Sequence, residues 1–330
     1  MFLKSYLANF FLFSLAFVFG CVNNENSTSI AKNNDIETQE MVELLKKINS
    51  EGDPQMYFHW NKKLAEYYKR KLRESPKKEK IKNWLSYCYQ LLLAGENQLC
   101  INKIEEKIKK DKTSYDSLIM AALPVMETLG LAYLRLGEIT NCINNHNEYS
   151  CILPLVKEGQ HKEKMGSKKA IEIFSKIYQR YPSEKYKWLL NIAHMTIGEF
   201  PHEVPNDYFI NYVSDDEKNN FPAFKEIASK LGIDVNGLSG GVSLDDFNND
   251  GMIDIFTTSY GMEDQCKLFF NTGYGFEDVT SKAGLNGILS GLNCLHADYN
   301  NDGHMDLLIL RGAWLGSSGN HPNSLLRNNG

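Results

Sequence analysis

The stretch Asp-x-Asn-x-Asp-Gly-x-x-Asp occurs twice, at residues 246–254 (DFNNDGMID) and 298–306 (DYNNDGHMD), with the first aspartates 52 residues apart. Side-chain oxygens at positions 1, 3, 5 and 9, with the main-chain carbonyl at 7, can converge on one hard cation. Glycine at position 6 permits the sharp turn that this requires. In the first loop the donors are Asp246, Asn248, Asp250, the Met252 carbonyl and Asp254. In the second they are Asp298, Asn300, Asp302, the His304 carbonyl and Asp306, and the His304 ring need not coordinate. Three carboxylates repel one another when no cation is present. Ca²⁺ offsets that repulsion and ties each loop to the strand that begins beside position 9, so two calcium sites are expected.

A helix-loop-helix calcium hand needs a bidentate glutamate at position 12, where this chain has Thr257 and Ile309. The following residues, IFTTS and LLILR, read as short strands rather than exiting helices. Asx-rich turns holding only water are the plainer alternative. Mg²⁺ resists dehydration by so ligand-rich a loop.

A second phrase also repeats: Leu268-Phe269-Phe270-Asn271-Thr272-Gly273 is echoed 57 residues later by Leu325-Leu326-Arg327-Asn328-Asn329-Gly330. It predicts a strand, a glycine-permitted turn and a further strand beginning near Phe276. A period of 50 to 57 residues suits a four-stranded propeller blade.

These segments, with the final RGAWLGSSGNHPNSLLRNNG, resemble the FG-GAP/VCBS repeats of the cartilage acidic protein-like (ASPIC/UnbV-associated) family. The resemblance implies a calcium-lined ring of about seven blades used for adhesion or ligand display, preceded by a helical leader. Two loops cannot close such a ring. Residues 232–330 are therefore expected to be a partial β-propeller, truncated at its C-terminus or completed by another chain.

Residues 37–200 show apolar positions three or four apart between charged ones, the pattern of amphipathic helices. The clearest stretches are 126–138, 168–182 and 184–201, while Ala94-Gly95-Glu96-Asn97 punctuates two earlier helical runs. Proline at 182 should stop the second of these. Leu129-Gly130, Tyr133, Leu136-Gly137, Ala170, Phe174 and Pro182 resemble the packing and turn signature of tetratricopeptide repeats, which implies a stack of helical hairpins with a concave face. The fold class expected is therefore mixed and multidomain, a helical stack followed by incomplete propeller blades. Residues 201–231 form a connector with one short helix, FKEIASKLG.

The N-terminus carries Lys4 ahead of an apolar run at residues 7–19, too short to span hydrocarbon comfortably. The run ends Val18-Phe19-Gly20-Cys21, which resembles the lipobox of bacterial lipoproteins. That likeness implies a signal peptide over residues 1–20 and lipidation at Cys21, which would attach the protein to a membrane without a spanning helix. Residues 21–36 then read as a polar tether. The location expected is the bacterial cell envelope, facing the periplasm or the exterior.

Six further cysteines in an exported chain permit disulfides, and sequence order suggests Cys88 with Cys100, Cys142 with Cys151, and Cys266 with Cys294. The spacing of Cys142, His146, Cys151 and His161 does not match a zinc-finger frame.

With 36 Lys+Arg against 41 Asp+Glu, the net charge of -5 provides no basic field for nucleic acid. No nucleophile elbow, phosphate loop or HExxH helix occurs, so no catalytic residue is assigned. The function expected is non-enzymatic: a calcium-dependent surface scaffold for a protein, peptide or glycan ligand. The alternatives are an accessory propeller of an exported enzyme and a purely structural envelope component.

Overall fold

The computed structural model describes residues 25–330 apart from 58, 148, 151–152, 212–223 and 226, with side chains from residue 36 onward. The expected signal peptide, the lipidation site Cys21 and the disulfide partner Cys151 lie outside the described residues. Among the described residues, no helix is long and apolar enough to cross a membrane.

The N-terminal half is helical: α1 (Glu25–Glu51), α2 (Asn61–Glu74), α3 (Lys77–Leu93), α4 (Asn97–Asp111), α5 (Tyr115–Ala121), α6 (Leu123–Asn145), α7 (Met165–Arg180) and α8 (Glu184–Ile197). Their ends follow local chemistry. Gly95, at φ 78°, turns the chain between α3 and α4, while its N–H and that of Glu96 satisfy the carbonyls of Leu92 and Leu91. Pro182 lies just beyond α7, as expected. Ser183 then caps α8 through the Tyr186 N–H.

Neighbouring helices pack together, α2 on α3, α6 on α7 and α7 on α8. Close approach depends on small residues at the crossing of α6 and α7. A Cβ at Gly130 would fall 2.8 Å from the fully buried Phe174 ring, and one at Gly166 would fall 2.5 Å from the Tyr133 carbonyl. The aromatic ring therefore fills the hollow left by the glycine.

α1 departs from the sequence reading, because it takes in most of the segment expected to be a tether. No proline or glycine interrupts residues 25–51, and Gly52 stands just after the last of them. Beyond its polar start, Met41 and Val42 pack against the core of the C-terminal half, and Asn49 Nδ2 donates to the Met262 carbonyl at 2.6 Å. The connector's helix, α9 (Ala228–Leu231), is shorter than expected and ends at Gly232 in the left-handed region.

The C-terminal half consists of two antiparallel sheets. The first runs in chain order through β1 (Val242–Asp245), β2 (Asp254–Thr257), β3 (Lys267–Asn271) and β4 (Phe276–Asp278). The second comprises β5 (Asn293–Ala297), β6 (Asp306–Leu310) and β7 (Ser324–Leu326). Registers repeat with the sequence: Ile255 opposes Phe269 as Leu307 opposes Leu326. One apolar core, including Phe247, Phe256, Ile288, Leu307 and Ile309, serves both sheets. Among the described residues they form two adjacent blade-like sheets and no closed ring.

The expected disulfides require correction: Cys88, Cys100, Cys266 and Cys294 are free thiols. The turn between α3 and α4 brings the Cys100 thiol to the Cys88 main-chain carbonyl, 3.2 Å away, rather than to its sulfur. Cys266 donates to the Ser290 carbonyl at 3.1 Å, and Cys294 Sγ meets Ser243 Oγ at 3.4 Å. Each thiol is buried and behaves as a small apolar side chain. Cys142 is partly exposed at the end of α6. His146 pairs with Ser229 and His161 with Ser167, so these two imidazoles are committed to different neighbours.

Candidate metal centre: the paired acidic loops

Each acidic loop joins the first and second strands of its sheet. Strands, not helices, leave both loops, beginning at Asp254 and at Asp306, which is position 9 in each case. The loops share one hydrogen-bond frame. Asp246 Oδ1 accepts from the Asp250 N–H at 3.0 Å and its Oδ2 from the Gly251 N–H at 2.7 Å. Asp298 repeats this with Asp302 at 3.0 Å and Gly303 at 2.9 Å. Asn248 Oδ1 accepts from the Asp250 N–H, and Asn300 Oδ1 from the Asp302 N–H. Asp250 Oδ1 receives the Met252 N–H at 2.8 Å, and Asp302 Oδ1 the His304 N–H at 3.0 Å. Gly251 and Gly303 adopt φ of 86° and 88°, the conformation for which position 6 needs glycine.

Position 9 differs from the others. Asp254 and Asp306 are buried, at 0% and 1% exposure, whereas Asp250 and Asp302 are exposed. Asp254 receives the Phe247 N–H on one oxygen and the Asn271 N–H on the other, at 2.9 and 2.8 Å. Asp306 likewise receives Tyr299 at 3.1 Å and Asn328 at 2.7 Å. Asp254 thus ties its loop to the end of β3, and Asp306 ties its loop to the chain two residues beyond β7.

Asp254 and Asp302 differ in electrostatics. Burial, together with the neighbouring Asp250 and Asp246 carboxylates, raises the Asp254 carboxyl above its ordinary range, against the two backbone N–H bonds. The hydrogen bonds from the His304 N–H and Asn300 hold Asp302 below its ordinary range.

The two loops also touch. Asn249, left-handed at φ 60°, donates to the Gly303 carbonyl at 3.3 Å and the His304 Nδ1 at 3.0 Å. The His304 ring therefore faces the neighbouring loop. Among the described residues, no three His, Cys, Asp or Glu side chains form a ready-made metal cluster. The carboxylates at positions 1, 5 and 9 are turned onto backbone N–H groups, and the remaining donors are amide and carbonyl oxygens. The donor set is all hard oxygen, carrying three negative charges per loop, which fits calcium in chemistry.

Two roles escaped the residue pattern. Asn271 and Asn328 complete the position-9 link, and their side chains donate to the Ile253 carbonyl at 3.1 Å and to the Phe247 carbonyl at 2.7 Å. The 57-residue echo had already placed both asparagines at one repeat position, the only signal of their shared part. Asn249 gave none, since its contact crosses from one loop to the other.

The family model of the FG-GAP-like repeat matches residues 246–309. That match begins at the first aspartate of the first loop and ends within β6, beyond the second. The FG-GAP-like repeat is consistent with a β-propeller, as are the adjacent antiparallel sheets. Neither the curated proteins nor the solved structures contain a match to the chain.

Proposed function

We propose that this chain is a calcium-braced binding scaffold of the bacterial cell envelope, in which the FG-GAP-like repeat forms propeller blades and the helices a tetratricopeptide-like leader. The observation that carries this reading is the recurrence of one loop frame, with three carboxylates each time, at the same point of two adjacent sheets. Asp246, Asn248, Asp250, the Met252 carbonyl and Asp254 would hold one ion. Asp298, Asn300, Asp302, the His304 carbonyl and Asp306 would hold the other. A bound calcium supplies positive charge that offsets carboxylate repulsion and couples loop closure to strand pairing.

The carboxylates alternate along one loop, a spacing that would let them converge on one ion rather than flank a scissile bond as an acid and base pair would. This supports binding over catalysis. A protein, peptide or glycan would be the ligand, while the net charge of -5 speaks against nucleic acid. The packing of Gly130 against Phe174 supports the tetratricopeptide-like reading. Membrane attachment through a lipidated Cys21 rests on the apolar run and the Val-Phe-Gly-Cys sequence. Within the cartilage acidic protein-like family, such blades would display ligands outside the cytoplasm.

Thermal melting with and without calcium tests the proposal. Chelation should lower Tm and calcium restore it, with a weaker response in Asp250→Asn and Asp302→Asn. A melting temperature indifferent to calcium would remove the reading.

A further inference from the structure

A clasp of aromatic and basic side chains joins the helical leader to the blades. Tyr57 and Trp60, from the link between α1 and α2, form one buried cluster with Met262 of the loop after β2, against which Trp314 and Leu315 of the loop after β6 pack. Tyr57 stands 4.2 Å from Trp60, and its ring meets His321 edge-on at 5.8 Å. His59 meets Tyr260 edge-on at 5.5 Å. An imidazole thus enters from each side, His59 from the leader and His321 from the blades, and each is only 7% exposed.

Charged and titratable groups reach the clasp from both sides. Arg311, 5% exposed, lies by His321 and is held by the Leu289 and Pro322 carbonyls and by Ser324, with no carboxylate among these partners. Both ring nitrogens of His321 lack a hydrogen-bond partner among the described residues. On the leader side the nearby cation is Lys63, which lies over Trp60 and pairs with Glu263 at 3.0 Å. Asp264, beside Glu263 in the same loop, accepts from Ser259 and from the Leu238 N–H. The neighbouring Cys266 is a buried thiol.

We propose that this clasp is an acid-operated latch, closed with both imidazoles neutral and opened by their protonation, so that Tyr57 and Trp60 part from the blade loops that carry Met262 and Trp314 while Met41 and Val42 stay packed on the blade core. Burial lowers the pKa of His59, and the adjacent His321 adds to this. His321 is lowered by burial and then by Arg311. The open state thus binds protons at a higher pH than the closed one. Closure is fully favoured above the ordinary imidazole range, near pH 6.5, and is lost as pH falls through it. Each imidazole contributes up to about a tenfold fall in the closed-to-open ratio per pH unit, and the two together about a hundredfold.

The test is hydrogen exchange of the full chain at pH 7.5 and 5.5, corrected for intrinsic rates. Segments 57–63 and 311–321 should lose at least tenfold protection at the lower pH, while α7 and α8 keep theirs. His59→Gln with His321→Gln should remove that difference. An NMR titration of His321 in the unaltered chain needs no variant and should place it below the ordinary imidazole value. Unchanged protection, equal loss in α7 and α8, a pH response surviving the double substitution, or an ordinary His321 titration would each overturn the latch.

Discussion

Asp254 Oδ1 accepts the backbone N–H of Asn271 at 2.8 Å, while the other oxygen of the same buried carboxylate accepts Phe247. Both oxygens therefore act as acceptors with no cation in the loop. Asp254→Asn places an NH₂ donor against a backbone donor and should cost about 1–3 kcal/mol even in chelator. Asp250→Asn, on the exposed side of the loop, should lose mainly the calcium response. Denaturant midpoints for both variants, with EDTA and with calcium, check this; a neutral Asp254→Asn in EDTA would contradict it.

Gly303 stands at φ 88° with nothing within 4 Å of where a Cβ would lie. A substitution there meets conformational strain and no collision. Gly303→Ala should destabilise by about 1–2 kcal/mol, and Gly303→Asn by less, because asparagine tolerates the left-handed region. Equal stability of the two variants in chemical denaturation would show that the turn relaxes.

In the helical half the prediction is steric. Gly130→Ala sets a methyl against the Phe174 ring, fully buried and without room to retreat, and should cost about 1–3 kcal/mol. Phe174→Leu in the Gly130→Ala background should recover part of that loss, a coupling measurable by a double-mutant cycle. Simple additivity of the two substitutions would refute direct contact.

Where structure depends on nearby residues, the sequence revealed it. The nine-residue acidic loops and the echoed Leu268 and Leu325 phrases specify loop, strand and turn within a few positions, and β2, β3, β4 and β6 follow them. The spacing of apolar residues likewise located α6, α7 and α8. Distant pairing was harder to see. Met41, Val42 and Asn49 belong to a largely polar helix, and nothing local reveals that they meet residues some two hundred positions further on. The disulfide expectation failed for a related reason. Proximity in the chain brought Cys100 to Cys88, but helix geometry presented a carbonyl to the thiol. The sequence marks Asp254 and Asp306 as cation ligands, while their use as backbone acceptors depends on the distant Asn271 and Asn328.

Burial pushes the Cys100 and Cys266 thiols up to about 12 from an ordinary 9.0. Their contribution to stability is complete below the ordinary thiol range and declines as pH rises through it toward about 12, because the unfolded chain ionises first. At pH 8 the native protein should leave Cys88, Cys100, Cys266 and Cys294 slow to alkylate, and denaturant should make all four rapid. Mass spectrometry after labelling checks this; labelling that requires a reductant would contradict the free thiols.

Counting ions tests the central claim most directly. Anomalous diffraction from crystals grown with millimolar calcium should place two ions per chain, one within residues 246–254 and one within 298–306. Water alone in both loops under those conditions would contradict the account.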